Sequence, residues 1–188
     1  FLLPHKGIRT LIRAFARLRE DHEAVHLLLV NALYPDPVSL EEAEACRQLI
    51  DELAISGAVT LVTDFLADRD SLAHLRLAER LVFPYEHTQE SSSAAVRWGL
   101  AVDRPVHCTP LPIFEDVAPA VEFLPGCDEA GIYEGLSAAL STGADPGGET
   151  RKRWLADNDW GAVSQRLASM LEGAAANASF HALLEDQA

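Results

Sequence analysis

Short apolar stretches alternate with amphipathic stretches along this 188-residue chain, and this alternation most constrains its fold. Residues 26–30 read HLLLV, an apolar run typical of a strand that is buried on both faces of a sheet. Residues 8–19 instead repeat apolar side chains at helical spacing, namely Leu11, Ile12, Phe15 and Leu18. Strands that alternate with helices form βαβ units, so the sequence predicts an α/β fold, a doubly wound parallel sheet of about five or six strands with helices on both faces.

The predicted elements divide the chain into a domain and a tail. We expect residues 1–172 to form the domain and residues 173–188 to form an Ala-rich tail compatible with a helix. Ser39, with Glu42 three residues later, forms a capping box that would begin the second helix. Because Phe1 opens the chain directly within or beside a strand, we expect the chain to be part of a longer protein. The predicted strands are 26–30, 59–62, 80–83, 105–108 and 121–124, and the predicted helices are 8–19, 39–53, 70–79, 91–102, 128–140, 150–156 and 160–171.

The acidic composition excludes several classes of partner. The formal net charge of -14 repels phosphate backbones and anionic lipids, so we expect neither nucleic-acid binding nor membrane insertion. Any site for an anion must therefore be local, built from a few cations and backbone N–H groups. The three cysteines have no paired spacing, which indicates reduced thiols in a cytoplasmic protein. Histidines and carboxylates lack the spacing of metal ligands, so we expect neither a metal site nor a cofactor.

The loop that follows the predicted strand 80–83 carries the densest polar chemistry. It ends in Ser91, Ser92 and Ser93 at the start of a predicted helix, where hydroxyls and free N–H groups form a potential anion site. Capping of the helix by Ser91 or Ser92 is the structural alternative. Ligands of doubly wound sheets bind at the carboxyl ends of the strands, which is where this loop lies.

The loop at residues 4–7 is the second candidate site. Lys6 lies where a strand passes into a helix, so its ammonium could contact a diphosphate at the same edge of the sheet. A lysine followed by a glycine is also ordinary loop chemistry, and the residue pattern alone leaves both interpretations open.

Together these segments resemble a known family in order along nearly the whole chain. The matching segments are residues 1–8 (FLLPHKGI), 27–31 (LLLVN), 65–72 (FLADRDSL), 81–85 (LVFPY), 90–97 (ESSSAAVR) and 99–106 (GLAVDRPV), with Trp160 near the end. The chain resembles the C-terminal, donor-binding domain of retaining GT-B glycosyltransferases of the group 1, or family 4-like, type. The resemblance implies a Rossmann-like domain, one half of a GT-B fold, whose N-terminal acceptor domain is absent from this chain.

The resemblance also implies roles for individual residues. Lys6 matches a lysine that contacts the donor diphosphate, whereas Phe1 falls where the family has an arginine. Glu90 falls at a glutamate near the donor sugar and would be the catalytic residue. Arg97 falls where a second glutamate normally contacts the ribose. A guanidinium only donates hydrogen bonds, so Arg97 would instead attract the diphosphate or pair with Glu90 or another nearby acid.

The remaining implied contacts complete the predicted site. Phe65 and Leu66 would flank the nucleotide base, and Ser91, Ser92 and Ser93 would contact the diphosphate together with Lys6 and Arg97. We therefore expect a hexosyltransferase domain that takes a sugar from a GDP- or UDP-sugar and passes it to a glycan or polysaccharide acceptor. The departures at Phe1 and Arg97 leave two alternatives: a catalytically degenerate GT-B-like binding or scaffolding module and, less favoured, a flavodoxin-like regulatory domain.

Overall fold

The computed structural model describes residues 1–143 and 145–185, with side chains described up to residue 175. Five strands form in the described residues, and every pair of neighbouring strands is parallel. One ladder joins β1 to β2, and in its register Leu27 pairs with Val59. A second ladder joins β3, β4 and β5 in that order. The strands are β1 (Leu27–Val30), β2 (Val59–Val62), β3 (Leu81–Phe83), β4 (Val106–Cys108) and β5 (Glu122–Phe123).

The chain start does not form the sixth strand allowed by the sequence. Leu3 is extended, and the N–H of Leu2 donates to the carbonyl of Ala32 at 2.8 Å, but this single bond makes no ladder. Pro4 follows at once and opens a 3₁₀ helix, Pro4–Lys6, which ends the extended segment. The segment nevertheless bonds to the chain just beyond β1.

Helices connect the strands as the alternation predicts. The helix α1 (Ile8–Asp21) buries six apolar or small side chains along one stripe, as expected for an amphipathic helix. The other α-helices are α2 (Pro37–Glu52), α3 (Asp68–Leu77), α4 (Ala94–Leu100), α5 (Glu129–Thr142), α6 (Gly148–Asp157) and α7 (Trp160–Glu185), and the other 3₁₀ helices are Ser56–Ala58 and Pro112–Ala120.

Two hydrophobic clusters lie on opposite faces of the three-stranded ladder. Leu81 and Phe83 pack into a cluster with α3, α4 and the 3₁₀ helix Pro112–Ala120, whereas Val82 between them packs into a cluster with α1, α2 and α5. Because successive side chains of a strand point to opposite faces, the two clusters must be separated by β3. Helices therefore flank both faces, as predicted from the sequence.

The start of α2 differs from its prediction. Asp36 is the N-cap, its carboxylate accepts from the N–H of Val38 at 2.9 Å, and Pro37 is the first helical residue. Ser39, the predicted cap, is buried and its hydroxyl donates to the carbonyl of Leu2 at 2.6 Å. Glu42 is also buried and accepts from Arg9 at 3.0 Å, so no capping box forms.

Replacing Asp36 with alanine should lower the free energy of unfolding by about 1 kcal/mol, because the cap would be lost. Urea denaturation of wild type, Asp36→Ala and Asp36→Asn measures the effect. The asparagine carbonyl can accept the same bond from Val38, so Asp36→Asn should remain close to wild type. Equal losses in both variants would exclude the cap as the source.

The helix α7 runs through the predicted boundary between domain and tail. It continues past Gly173 to Glu185, and residues 186–188 of the predicted tail lie outside the described residues. Within the described part of the chain, no helix is both long enough and apolar enough to cross a membrane.

Candidate functional site

The carboxyl ends of the strands are joined to one another by backbone hydrogen bonds. The N–H of Leu33, beyond β1, donates to the carbonyl of Thr63, beyond β2, at 3.0 Å. On the other side, the N–H of Thr109 donates to Phe83 at 3.2 Å and the N–H of Leu124 donates to Cys108 at 2.8 Å. Within each ladder the loops that follow the strands therefore lie side by side at the carboxyl edge, the position where ligands of parallel α/β sheets bind.

At this edge the first loop, residues 4–7, meets the β3–α4 loop, residues 84–93. Gly7 has a φ of 68°, and a Cβ built on it would lie 1.8 Å from the carbonyl oxygen of Pro84. Next to this contact the N–H of Glu86 donates to the carbonyl of His5 at 2.9 Å. Only glycine allows this approach, and it brings together the two loops that contain the predicted diphosphate contacts Lys6 and Ser91 to Ser93.

The centre of the site is an ion-pair cluster of Lys6, Glu90 and His5. The Lys6 ammonium donates to Glu90 Oε2 at 2.9 Å, and His5 Nε2 lies 3.5 Å from Glu90 Oε1. The hydrogen bond from Lys6 lowers the pKa of the Glu90 carboxyl, against the opposing effect of burial. The carboxylate is therefore ionised at neutral pH, and the predicted cation and the predicted catalytic acid neutralise each other.

Tyr85 forms the floor beneath Lys6. The Lys6 ammonium lies 4.0 Å from the centre of the Tyr85 ring, a cation–π geometry, and the Tyr85 hydroxyl is 3.1 Å from Ser93 Oγ. Thr109 fixes the backbone of the tyrosine by donating to its carbonyl at 2.7 Å. Tyr85 and Ser93 are both buried, so the floor is rigid relative to the exposed loop above it.

The three serines have different environments. Ser93 caps α4, because its hydroxyl accepts from the N–H of Val96 at 3.4 Å, and the helix begins at Ala94, three residues later than predicted. Ser91 and Ser92 are exposed beside Glu90. The predicted cap, Ser91 or Ser92, was therefore wrong, and these two hydroxyls face solvent in the β3–α4 loop.

Arg97 lies on α4 and pairs with a different acid from Glu90. Its guanidinium donates to the carbonyl of Ser93 at 2.9 Å and forms an ion pair with Asp116. Asp116 is therefore the acid that pairs with Arg97, and the sequence alone did not identify it. About half of the Arg97 side chain is exposed, so the pair remains accessible to solvent.

Phe65 belongs to an exposed aromatic cluster at the other end of the same edge. Its side chain is 81% exposed and stacks against the Phe1 ring, with 6.1 Å between the ring centres. The Phe1 ring meets Tyr34 edge to face at 5.1 Å, and Leu66 is partly buried. At Phe1, where the resemblance implies an arginine, this chain therefore has a ring that extends an aromatic surface.

Comparison with known proteins identifies the fold. No protein-family model matches the sequence, and no curated protein matches it significantly. Among solved structures, sucrose-phosphate synthase from Thermosynechococcus elongatus matches 93% of the chain, with a TM-score of 0.71 and 22% identity. HepE from Anabaena, solved in complex with UDP and glucose, matches 92% with a TM-score of 0.74 and 13% identity. The chain has the fold of a GT-B glycosyltransferase domain.

A third structure indicates which half of the fold is present. The C-terminal domain of a glycosyl transferase group 1 family protein from Francisella tularensis matches 87% of the chain, with a TM-score of 0.60 and 14% identity, and the match covers 80% of that structure. By contrast, the GT-B domain described here spans only 43% of the sucrose-phosphate synthase and 46% of HepE. The predicted resemblance to a C-terminal GT-B domain is confirmed at the level of the fold.

Two residues of the site were missed from the sequence. Tyr85 follows a proline at the end of β3, a position that the rule for parallel sheets places at the ligand edge, but nothing in the local sequence indicates that its ring lies under Lys6. Asp116 lies in the 3₁₀ helix Pro112–Ala120, 19 residues from Arg97, and nothing in the local sequence indicates the pairing. The GT-B domain therefore builds its site partly from contacts between distant segments.

All three cysteines of the chain are free thiols. Cys46 and Cys108 are buried free thiols, and burial raises the pKa of Cys46 to about 12, so it is an unreactive thiol. Cys127 is a partly buried free thiol. Among the described residues of the GT-B domain, no group of three or more His, Cys, Asp or Glu side chains is arranged to hold a metal ion.

Proposed function

We propose that this chain is the donor-binding domain of a hexosyltransferase, which takes a hexose from a GDP- or UDP-sugar and transfers it to a glycan or polysaccharide acceptor. The observation that carries the proposal is the meeting of the first loop and the β3–α4 loop around Lys6, at the ligand edge of a GT-B domain. HepE, a structural neighbour, has been solved with UDP and glucose, which supports this class of donor.

In the proposed site, Lys6 binds the donor diphosphate through charge-assisted hydrogen bonds. Ser91 and Ser92 supply neutral donors from the exposed part of the β3–α4 loop, and Arg97 adds positive charge from α4. The cluster around Phe65 and Leu66 takes the nucleotide base, because an exposed ring can stack on any base. Glu90 faces the donor sugar as the catalytic residue.

The transfer needs a second domain to hold the acceptor. The chain spans less than half of the first two solved structures it resembles, so we propose an N-terminal GT-B domain in the full-length protein as its partner. We propose no metal or other cofactor, since positioning and fixed positive charge can stabilise the departing diphosphate. The free thiols favour a cytoplasmic location.

Titration of this chain with UDP, GDP and their sugars tests the proposal by isothermal calorimetry. We expect saturable binding in the micromolar range for one of the two nucleotides, with the other markedly weaker. The absence of heat and of saturation for all ligands would overturn donor binding.

A degenerate binding module is the second candidate, favoured by the neutralised cations. Lys6 is paired with Glu90, Arg97 with Asp116, and the side chain of Phe1 carries no charge. Such a module would bind no nucleotide sugar, or would bind it without transfer when joined to its partner domain. A transfer assay with the full-length protein separates the two candidates, because only the enzyme releases the nucleoside diphosphate in the presence of an acceptor.

A further inference from the structure

The Lys6 side chain already has an anion bound to it in this structure, and that anion belongs to the protein. Glu90 Oε2 accepts from the Lys6 ammonium at 2.9 Å, while Glu90 Oε1 lies 3.5 Å from His5 Nε2. His5 Nε2 is buried and, among the described residues, makes no regular hydrogen bond. Lys6 thus supplies the positive charge of this site and His5 Nε2 a second polar atom, and Glu90 fills the site incompletely.

The Glu90 side chain is better placed to leave than Lys6. The carboxylate side chain is 46% exposed, whereas the Lys6 side chain is only 13% exposed and lies over the rigid Tyr85 ring. Water can therefore solvate Glu90 as it departs, while the ammonium stays in position. An ion pair with one partner this exposed is weak, because water and salt screen it.

The β3–α4 loop is anchored at both ends and held in the middle by Glu90. At the first end, Glu86 bonds to His5 through its backbone and to Thr10 through its carboxylate, at 2.7 Å. At the other end, the buried Ser93 contacts Tyr85. Between these anchors, Glu90 attaches the exposed segment 87–90 to the first loop.

We propose that Glu90 is an internal competitor of the phosphate ligand: its carboxylate holds Lys6 until a diphosphate displaces it, which releases the segment 87–90 from the first loop. The inference rests on the proposed function and adds a regulation of the same site. A diphosphate carries more negative charge than one carboxylate and offers several oxygens to Lys6 and His5. It cannot bind while Glu90 stays in place, because like charges would then lie within a few ångströms.

Removal of the Glu90 charge should therefore tighten the binding of ligands that contain phosphate but no sugar. We expect Glu90→Gln to bind UDP or GDP, and inorganic pyrophosphate, about fivefold more tightly than wild type in calorimetric titrations at low salt. Ligands without a sugar are used because they do not contact the catalytic position proposed for Glu90. Thermal unfolding of each variant checks that the fold is unchanged.

Glu86→Gln is the matched control. It removes the same charge from the same loop, but Glu86 bonds to Thr10 and its amide replacement can still accept that bond. If general repulsion by the acidic surface explains the gain, both variants will tighten binding equally, which would overturn the proposal. A gain confined to Glu90→Gln supports it.

Hydrogen–deuterium exchange of the segment 87–90 gives a second readout. We expect nucleotide to increase exchange of these amides in wild type, and Glu90→Gln to show the increased exchange without ligand. Nucleotide binding by wild type, with unchanged or weaker affinity in Glu90→Gln, would overturn this inference and leave the proposed function intact. No binding by either protein would overturn the proposed function and the inference with it.

Discussion

Replacement of Lys6 with methionine is expected to weaken nucleoside diphosphate binding by roughly 10- to 100-fold, the usual effect of losing a charge-assisted hydrogen bond. Methionine keeps an unbranched apolar stem over the Tyr85 ring, so the floor of the site should remain packed. The variant also leaves Glu90 without its partner, which adds an unopposed negative charge beside the ligand. Calorimetric titration with UDP and GDP measures both effects together.

The other lysine of the chain provides the control. Lys152 lies on α6 and pairs with Glu149 at 3.3 Å, outside the two loops of the site. Lys152→Met therefore changes the net charge by the same amount, and its dissociation constant should stay within about twofold of wild type because the surface charge is screened. Equal weakening in the two variants would show that binding depends on net charge and would remove Lys6 from the site.

Lys6→Arg separates charge from geometry. If Lys6 acts on the diphosphate directly, arginine should restore part of the affinity lost in Lys6→Met, although its planar fork is larger than an ammonium. An arginine variant as weak as Lys6→Met would indicate that the exact position of the cation matters more than its charge.

The sheet and most helices could be predicted because their signals are local. The strands β1 to β4 agree with their apolar runs within one residue at each end, since a strand buried on both faces needs such a run. The edge at which the site lies also followed from topology alone, because parallel strands place their carboxyl ends together. The fold, and the edge proposed for the candidate site, thus depend on patterns that a single sequence contains.

Helix starts were less predictable where several residues could serve as the cap. Asp36 and Ser39 are both favourable N-cap residues. The buried hydroxyl of Ser39 does not cap the helix but donates to the carbonyl of Leu2, 37 residues away. In α4, the contact between Ser93 and the buried Tyr85 selects the third serine of the triplet. Tertiary contacts decided between local alternatives of similar energy, and the sequence alone does not contain those contacts.

Local sequence patterns likewise could not predict the pairing of Lys6 with Glu90. Lys6 and Glu90 are 84 residues apart, and their contact depends on the backbone approach of Gly7 to Pro84. The sequence indicated Lys6 as a diphosphate contact and Glu90 as the catalytic residue near the donor sugar, whereas the structure shows the two bound to each other. Because of this pairing, removal of the Glu90 charge is expected to strengthen the binding of a diphosphate that carries no sugar.

Gly7→Ala is expected to have the largest effect on stability, lowering the free energy of unfolding by about 3 kcal/mol or more. The φ of 68° would strain any residue with a Cβ, and here the new methyl group would also meet the carbonyl oxygen of Pro84 at 1.8 Å. Because that atom belongs to the backbone, no side-chain rotation relieves the clash. Urea denaturation measures the loss.

Gly143→Ala separates the cost of the left-handed backbone conformation from the cost of the contact with Pro84. Gly143 has a φ of 61°, close to that of Gly7, but a Cβ at this position meets no described atom within 4 Å. Its alanine variant should lose only about 1 kcal/mol, the cost of a left-handed conformation alone. The excess loss in Gly7→Ala then measures the contact between the first loop and the β3–α4 loop. If both variants lose the same stability, the two loops are not held together by this contact, and the geometry around Lys6 must have another support.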